Sequence, residues 1–120
     1  IMIQPWEKSM ISPIEKAIMA ANLGFNPQNN GEVIRVIVPV LTEERRRDLV
    51  KKAKQEAEQT KVSIRNIRRT ANNTIKELKD EGVPEDEIKK GEATIQKITD
   101  EYIEKVDKYL DLKEKEIMTI

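Results

Sequence analysis

The spacing of apolar positions changes several times along these 120 residues. Ile1-Met2-Ile3 is a continuous apolar run and predicts a short buried strand, stopped by Pro5, which has no N–H to give a sheet. Ile11, Ile14, Ala17, Ile18 and Ala21 then recur at helical spacing, which predicts a helix with one apolar face. Ser9 or Ser12 offers its N-cap, and Pro13 is tolerated in its first turn. Asn22-Leu23-Gly24 ends it. Gln28-Asn29-Asn30-Gly31 predicts a turn, because Asn and Gly accept positive φ. Val33 to Val38 is β-branched and apolar, a strand by propensity, and Pro39 stops it. The predicted order is strand, helix, short hairpin.

Beyond Pro39 the pattern becomes purely helical. Thr42 is a cap, Glu43 and Glu44 suit the positive end of a helix, and one helix is predicted from there to about Asp80. Val50, Ala53, Ala57, Thr60, Ile64, Ile67, Ala71, Thr74 and Leu78 alternate in steps of three and four, an a/d seam for a neighbouring helix. Gly82 breaks the helix, and Pro84 with Glu85, Asp86 and Glu87 starts another. Its apolar positions are Ile88, Ile95, Ile98, Tyr102, Ile103, Val106, Tyr109, Leu110 and Ile117, a wider stripe. The short connection predicts antiparallel packing. Tyr102 and Tyr109 sit at seam spacing and are expected to pack rather than to catalyse. Two helices leave part of the wide stripe uncovered, and a third would cover it. The chain opens inside a strand. The expectation is therefore the C-terminal part of a longer protein whose N-terminal helix completes a three-helix bundle.

Composition supports long helices and removes much chemistry. Charged residues make up 37% of the chain and aromatics 3%, which suits narrow seams better than one globular core. There is no cysteine and no histidine. That excludes disulfides, thiol and imidazole catalysis, and zinc sites built on those ligands. No Gly-rich phosphate loop and no nucleophile–base pair is found. Glu85-Asp86-Glu87 reads as a helix start before a metal site. No enzyme activity, cofactor or metal is expected. No apolar run approaches the roughly 20 residues that span a bilayer, and no signal peptide is visible, so a soluble cytoplasmic protein is the expectation.

The net charge is zero, but its distribution is uneven. Between Glu58 and Glu77 there is no acidic residue, whereas from Glu85 onward eleven acidic residues face seven lysines. The acid-free window holds Lys61, Arg65, Arg68, Arg69 and Lys76, with Asn72 and Asn73 among them. At about 100° per residue, Lys61, Arg65, Arg68, Asn72 and Lys76 share one stripe flanking the seam, with Arg69 at its edge. A charge run on a helix is usually a solvated face, or it pairs with an acidic neighbour. Two features favour phosphate binding instead. Arginine outnumbers lysine, and its planar fork matches phosphate. The i, i+4 carboxylates that usually accompany cations on a merely soluble helix are absent. Trp6, beside Pro5 at a strand end, reads as a packing or turn residue rather than a base-stacking platform.

Several motifs, in order along the whole chain, resemble those of the ribosome recycling factor family. They are Ile3-Gln4-Pro5-Trp6-Glu7-Lys8-Ser9-Met10, Ile14-Glu15-Lys16-Ala17-Ile18, Leu23-Gly24-Phe25-Asn26-Pro27, Ile34-Arg35-Val36 and Leu41-Thr42-Glu43-Glu44-Arg45-Arg46. The most specific is Ile64-Arg65-Asn66-Ile67-Arg68-Arg69, followed by Ala71-Asn72. Thr70 departs from the family, which usually has Asp there. The resemblance implies an α+β protein, with a long-helix bundle joined by a hinge to a small β/α/β domain. Residues 1–38 would be the remainder of that inserted domain and Pro39, Val40 and Leu41 part of the hinge. Residues 42–120 would supply two of the three antiparallel bundle helices. It also implies a monomeric translation factor that binds the large ribosomal subunit and its rRNA after peptide release. With elongation factor G, such a factor splits the subunits for reuse and itself makes no covalent bond. Arg65, Arg68 and Arg69 match the family's RNA-contacting arginines. A structural or adaptor coiled coil that binds partner helices through its apolar stripe is the competing reading. A carboxylate metal enzyme is a distant third.

Overall fold

Alternation along one central strand organises the first part of the molecule. The computed structural model describes residues 1–119, and the chain divides into the units Ile1–Leu41 and Thr42–Ile120. In the first unit, β1 (Met2–Ile3), α1 (Ile11–Ala20), β2 (Pro27–Asn29) and β3 (Ile34–Val36) follow one another as the sequence predicts. The sheet is antiparallel in the order β1-β3-β2. β3 takes the centre because Ile34 and Val36 point inward and are buried, while Arg35 between them is exposed. They meet Ile11 of α1, with Ile3, Ile14, Ile18 and Phe25 packed around them. Asn29 donates to the Glu15 carboxylate at 2.7 Å and ties the sheet to the helix. In the hairpin, the Asn29 side chain accepts from the Gly31 N–H, and the Asn30 side chain accepts from those of Glu32 and Val33. Gly31 takes a φ of 87° there.

Three expectations for this unit need correction. The strand predicted from Val33 to Val38 is paired only from Ile34 to Val36, because its neighbours offer two and three residues; Ile37 and Val38 are exposed. The Ile1-Met2-Ile3 run forms an edge strand, so Ile1 and Met2 are exposed and only Ile3 packs inward. Neither Ser9 nor Ser12 caps α1, which is entered through a 3-10 turn at Lys8–Met10; Ser9 donates to the Glu7 carboxylate instead. Of the two readings of Trp6, the turn is the one seen: it occupies the bend after Pro5 at 98% exposure.

The second unit is two helices, α2 (Glu43–Asp80) and α3 (Glu85–Met118), about 57 and 51 Å long at 1.5 Å per residue. The Thr42 hydroxyl accepts from the Arg45 N–H at 3.1 Å, with Glu43 and Glu44 in the first turn, as a cap requires. Gly82, at φ 98°, turns the chain, and α3 opens on Glu85, Asp86 and Glu87. The helices run antiparallel, and their cross-contacts fix the register. The Arg46 guanidinium donates to the carbonyls of Ile117 and Thr119. Lys54 meets Glu114 at 3.1 Å, Lys61 meets Asp107 at 2.5 Å, and Arg68 meets Gln96 at 3.0 Å. Near the turn, Ile75 lies against Gly91, where an added Cβ would stand 2.9 Å from Ile75 Cδ1.

These contacts place the seam differently from the sequence pattern. Ile67 is 68% exposed, and Thr60, Thr74 and Leu78 are exposed as well. The contact line keeps the predicted Ala57, Ile64 and Ala71 but takes Lys61, Arg68 and Ile75 in place of Thr60, Ile67 and Thr74. The line is itself a three-and-four alternation, displaced by one residue at every second position toward the polar side, which leaves Ile67 at its apolar edge. Cations fill the centre of the line. Lys61 is held well protonated: its hydrogen bond to Asp107, assisted by Glu58, outweighs desolvation and raises its pKa above the ordinary 10.5.

The seam can be probed at two points. Alanine at Gly91 should gain helix propensity of about 1 kcal/mol but lose part of it against Ile75. In a double-mutant cycle read by urea unfolding, Ile75→Val should make Gly91→Ala more favourable; strict additivity would show that the close approach is inconsequential. The raised Lys61 pKa makes its contribution fully present below pH 10.5 and lost as pH climbs through the higher folded value. The stability difference between the native chain and Lys61→Met should therefore be constant from neutral pH to 10.5 and shrink above it. A difference that persists unchanged into strong alkali would contradict the pairing.

Candidate nucleic-acid interface

The seam divides the surface of the second unit into two unlike flanks. On one flank lies an apolar groove. Ile64, Ile67, Ala71, Ile95, Ile98 and Tyr102 line a stretch of about 370 Å³, with the Arg68 stem and Thr99 in its floor. It continues past Ala57, Thr60, Val106, Tyr109 and Leu110 as a further stretch of about 350 Å³. Tyr102 and Tyr109 therefore wall an open groove, at 52% and 70% exposure, and are not enclosed by packing.

The other flank is polar, and the predicted cationic stripe is split across it. Arg65, Arg69 and Lys76 are exposed, and among the described residues none forms a hydrogen bond or ion pair with their side chains. Lys61, Arg68 and Asn72 are not simply flanking the seam, as the pattern suggests; they lie partly inside it. The Lys61 side chain is only 13% exposed and is neutralised by Asp107 at 2.5 Å and Glu58 at 3.4 Å. Arg68 is half-buried and bonded to Gln96, with its Nε buried and unpartnered. Asn72 is half-buried, and its Oδ1 is buried without a hydrogen-bond partner. The reason is angular: Lys61 and Arg68 lie seven residues apart, about 20° from each other, and both point at α3.

Electrostatically, the acid-free window leaves three cations facing water with no internal carboxylate to satisfy. Arg65, Arg69 and Lys76 span about three turns of α2 on one side. A polyanion approaching that flank meets them without displacing an intramolecular partner. The acidic complement of α3 is spent elsewhere, on Lys54 and Lys61 and on exposed pairs within α3 such as Lys108 with Glu104 at 3.3 Å. Sequence reasoning missed Gln96, which meets Arg68, and Asp100, which meets Gln96. No pattern within one helix marks them, because their role depends on the register between two helices.

Pro39, Val40 and Leu41 lie in a segment without regular structure, 37–42, between β3 and α2; Val40 is 88% exposed. Among the described residues, no group of three or more carboxylates gathers to hold a metal ion. No described helix is long and apolar enough to cross a membrane.

Comparison with known proteins places this arrangement. A family model described as ribosome recycling factor matches residues 1–118. The ribosome-recycling factor of Clostridium tetani is 55% identical over 120 residues, which cover all of this chain and 65% of that protein. That of Flavobacterium psychrophilum is 56% identical over 120 residues, covering all of this chain and 64% of that protein. A solution structure of the ribosome recycling factor aligns over 99% of this chain and 63% of its own, with a TM-score of 0.60 and 46% identity. The chain thus spans a little under two-thirds of the length of these relatives. With the family model matched over nearly all of its length and relatives more than half identical across it, the chain belongs to the ribosome recycling factor family.

Proposed function

We propose that the chain acts in ribosome recycling, binding the post-termination ribosome by laying the polar flank of α2 along large-subunit rRNA. With elongation factor G it then separates the subunits for reuse. The observation that carries this reading is the row of exposed, unpaired cations Arg65, Arg69 and Lys76, continued by the half-buried Arg68. Arginine meets phosphate through two parallel, charge-assisted hydrogen bonds, and the exposed arginines of this row need no rearrangement to do so. Lys61 and Asn72 contribute differently: Lys61 is committed to Asp107 and holds α3 in register, while Asn72 sets an amide at the edge of the stripe. On this reading the protein works in the cytoplasm as a binding factor, and the bond-breaking chemistry, GTP hydrolysis, belongs to its partner.

Residues 39–41 are proposed as a hinge between the two units, supported by the absence of regular structure there and by the exposure of Val40. Residual dipolar couplings test it. Each unit should require its own alignment tensor, whereas one tensor for both would reject the hinge.

The salt dependence of binding tests the interface. Removing one phosphate-bound cation should flatten the slope of log K against log salt by about 0.7–0.9. Arg65→Ala with Arg69→Ala should therefore flatten binding to large ribosomal subunits by about 1.4–1.8, while exposed sites of this kind shift stability by only about 0.5 kcal/mol. A double variant that melts normally and keeps the native slope would leave the row a solvated face. Arg68→Lys keeps the charge but not the planar group that can reach Gln96 and an outside acceptor together, and a partial loss of affinity is expected.

A further inference from the structure

Arg68 differs from its neighbours in being held. Its Nη1 donates to Gln96 Oε1 at 3.0 Å, and Gln96 Nε2 donates to Asp100 Oδ1 at 2.8 Å. The amide can sit only one way round in this chain. A guanidinium has only donors and an ionised carboxylate only acceptors, so the oxygen must face Arg68 and the nitrogen Asp100. Asp100 therefore fixes the amide, and the amide fixes the arginine. Gln96 and Asp100 are one turn apart on α3, so the relay crosses from one helix to the other. The Arg68 Nε is buried with no partner and one Nη1 N–H is taken by Gln96, while Nη2 makes no hydrogen bond within the chain and is available to an acceptor from outside.

We propose that Gln96 and Asp100 are positioning residues for RNA binding. They hold the Arg68 guanidinium in one orientation, with Nη2 presented to a backbone phosphate, although neither touches the RNA. The inference rests on the reading of the α2 flank as an rRNA interface. It turns on pre-organisation. A free arginine loses rotamer entropy when it binds, and one already fixed by α3 does not lose it again. It also makes the orientation of a residue on α2 depend on two residues that no one-helix pattern selects.

The sign of the Asp100 effect separates this role from plain electrostatics. Removing a carboxylate beside an RNA site should strengthen binding if only charge matters. If Asp100 positions Arg68, Asp100→Ala should weaken it. Binding of the whole 120-residue chain to purified bacterial large ribosomal subunits is measured at fixed salt. Gln96→Ala and Asp100→Ala are each expected to lose about three- to tenfold in affinity, the range of one hydrogen bond. Asp100→Asn, which keeps an acceptor for the amide, should recover most of the loss. Gln96→Ala should cost nothing further in an Arg68→Ala background, and thermal melts should stay near native. Tighter binding by Asp100→Ala, no rescue by Asp100→Asn, or full additivity of Gln96→Ala with Arg68→Ala would each overturn the proposal. If Arg68→Ala itself binds as the native chain does, the interface reading falls, and the positioning role with it. The relay itself is read independently by nitrogen relaxation of the Arg68 side chain. Its Nε–H should be rigid in the native chain and mobile in Gln96→Ala; equal mobility in both would remove the relay whatever the binding result.

Discussion

Two straight helices can touch along only one line, and the surface of the long-helix unit follows from which residues fall on it. The line is narrow. Ala57, Ile88 and Thr99 are its buried residues, and Gly91 lets Ile75 come close. Small residues permit the approach, but they supply little apolar area, so polar cross-contacts carry the register. Lys54, Lys61 and Arg68 meet Glu114, Asp107 and Gln96 in descending order along α3. With that register set, apolar side chains at one edge of the line, Ile67, Ile98 and Tyr102 among them, make the groove together with Ile64 and Ala71. Cations on the opposite side, beyond the reach of α3 carboxylates, make the candidate interface. The two surfaces are consequences of one packing angle, and a change in the seam would alter both.

Features set by local chemistry were legible in the sequence. Thr42 caps α2 because its hydroxyl oxygen accepts from the Arg45 N–H, and the two glutamates after it suit the positive helix end. Gly82 and Pro84 mark the turn for equally local reasons. Ile34, Arg35 and Val36 alternate, and the sheet obeys them. What depends on partners was legible only in part. The length of β3 is decided by neighbouring strands of two and three residues, not by its own β-branched run. Every second seam position was misplaced by one residue, because the pattern of one helix does not say which side of its apolar face the neighbour will cover.

The candidate site divides in the same way. The absence of carboxylates between Glu58 and Glu77 is visible in the letters, and it leaves Arg65, Arg69 and Lys76 unpaired. Lys61 and Arg68 look equivalent to them on a helical wheel, yet one is committed to an ion pair and the other to an amide. A wheel gives direction around one axis. It says nothing of what stands opposite, and here the opposing residues convert two members of a charge stripe into fixed parts.

Arg46 has a consequence of its own. Its guanidinium donates to the carbonyls of Ile117 and Thr119, which would otherwise be unsatisfied at the negative end of the α3 dipole. The first turn of α2 and the last turn of α3 are thereby joined through the Arg46 side chain. Helix ends ordinarily fray one at a time, each at small cost. Here the opening of either end releases the same bonds, so the far end of the helix pair behaves as a clasp, either shut on both helices or loose on both.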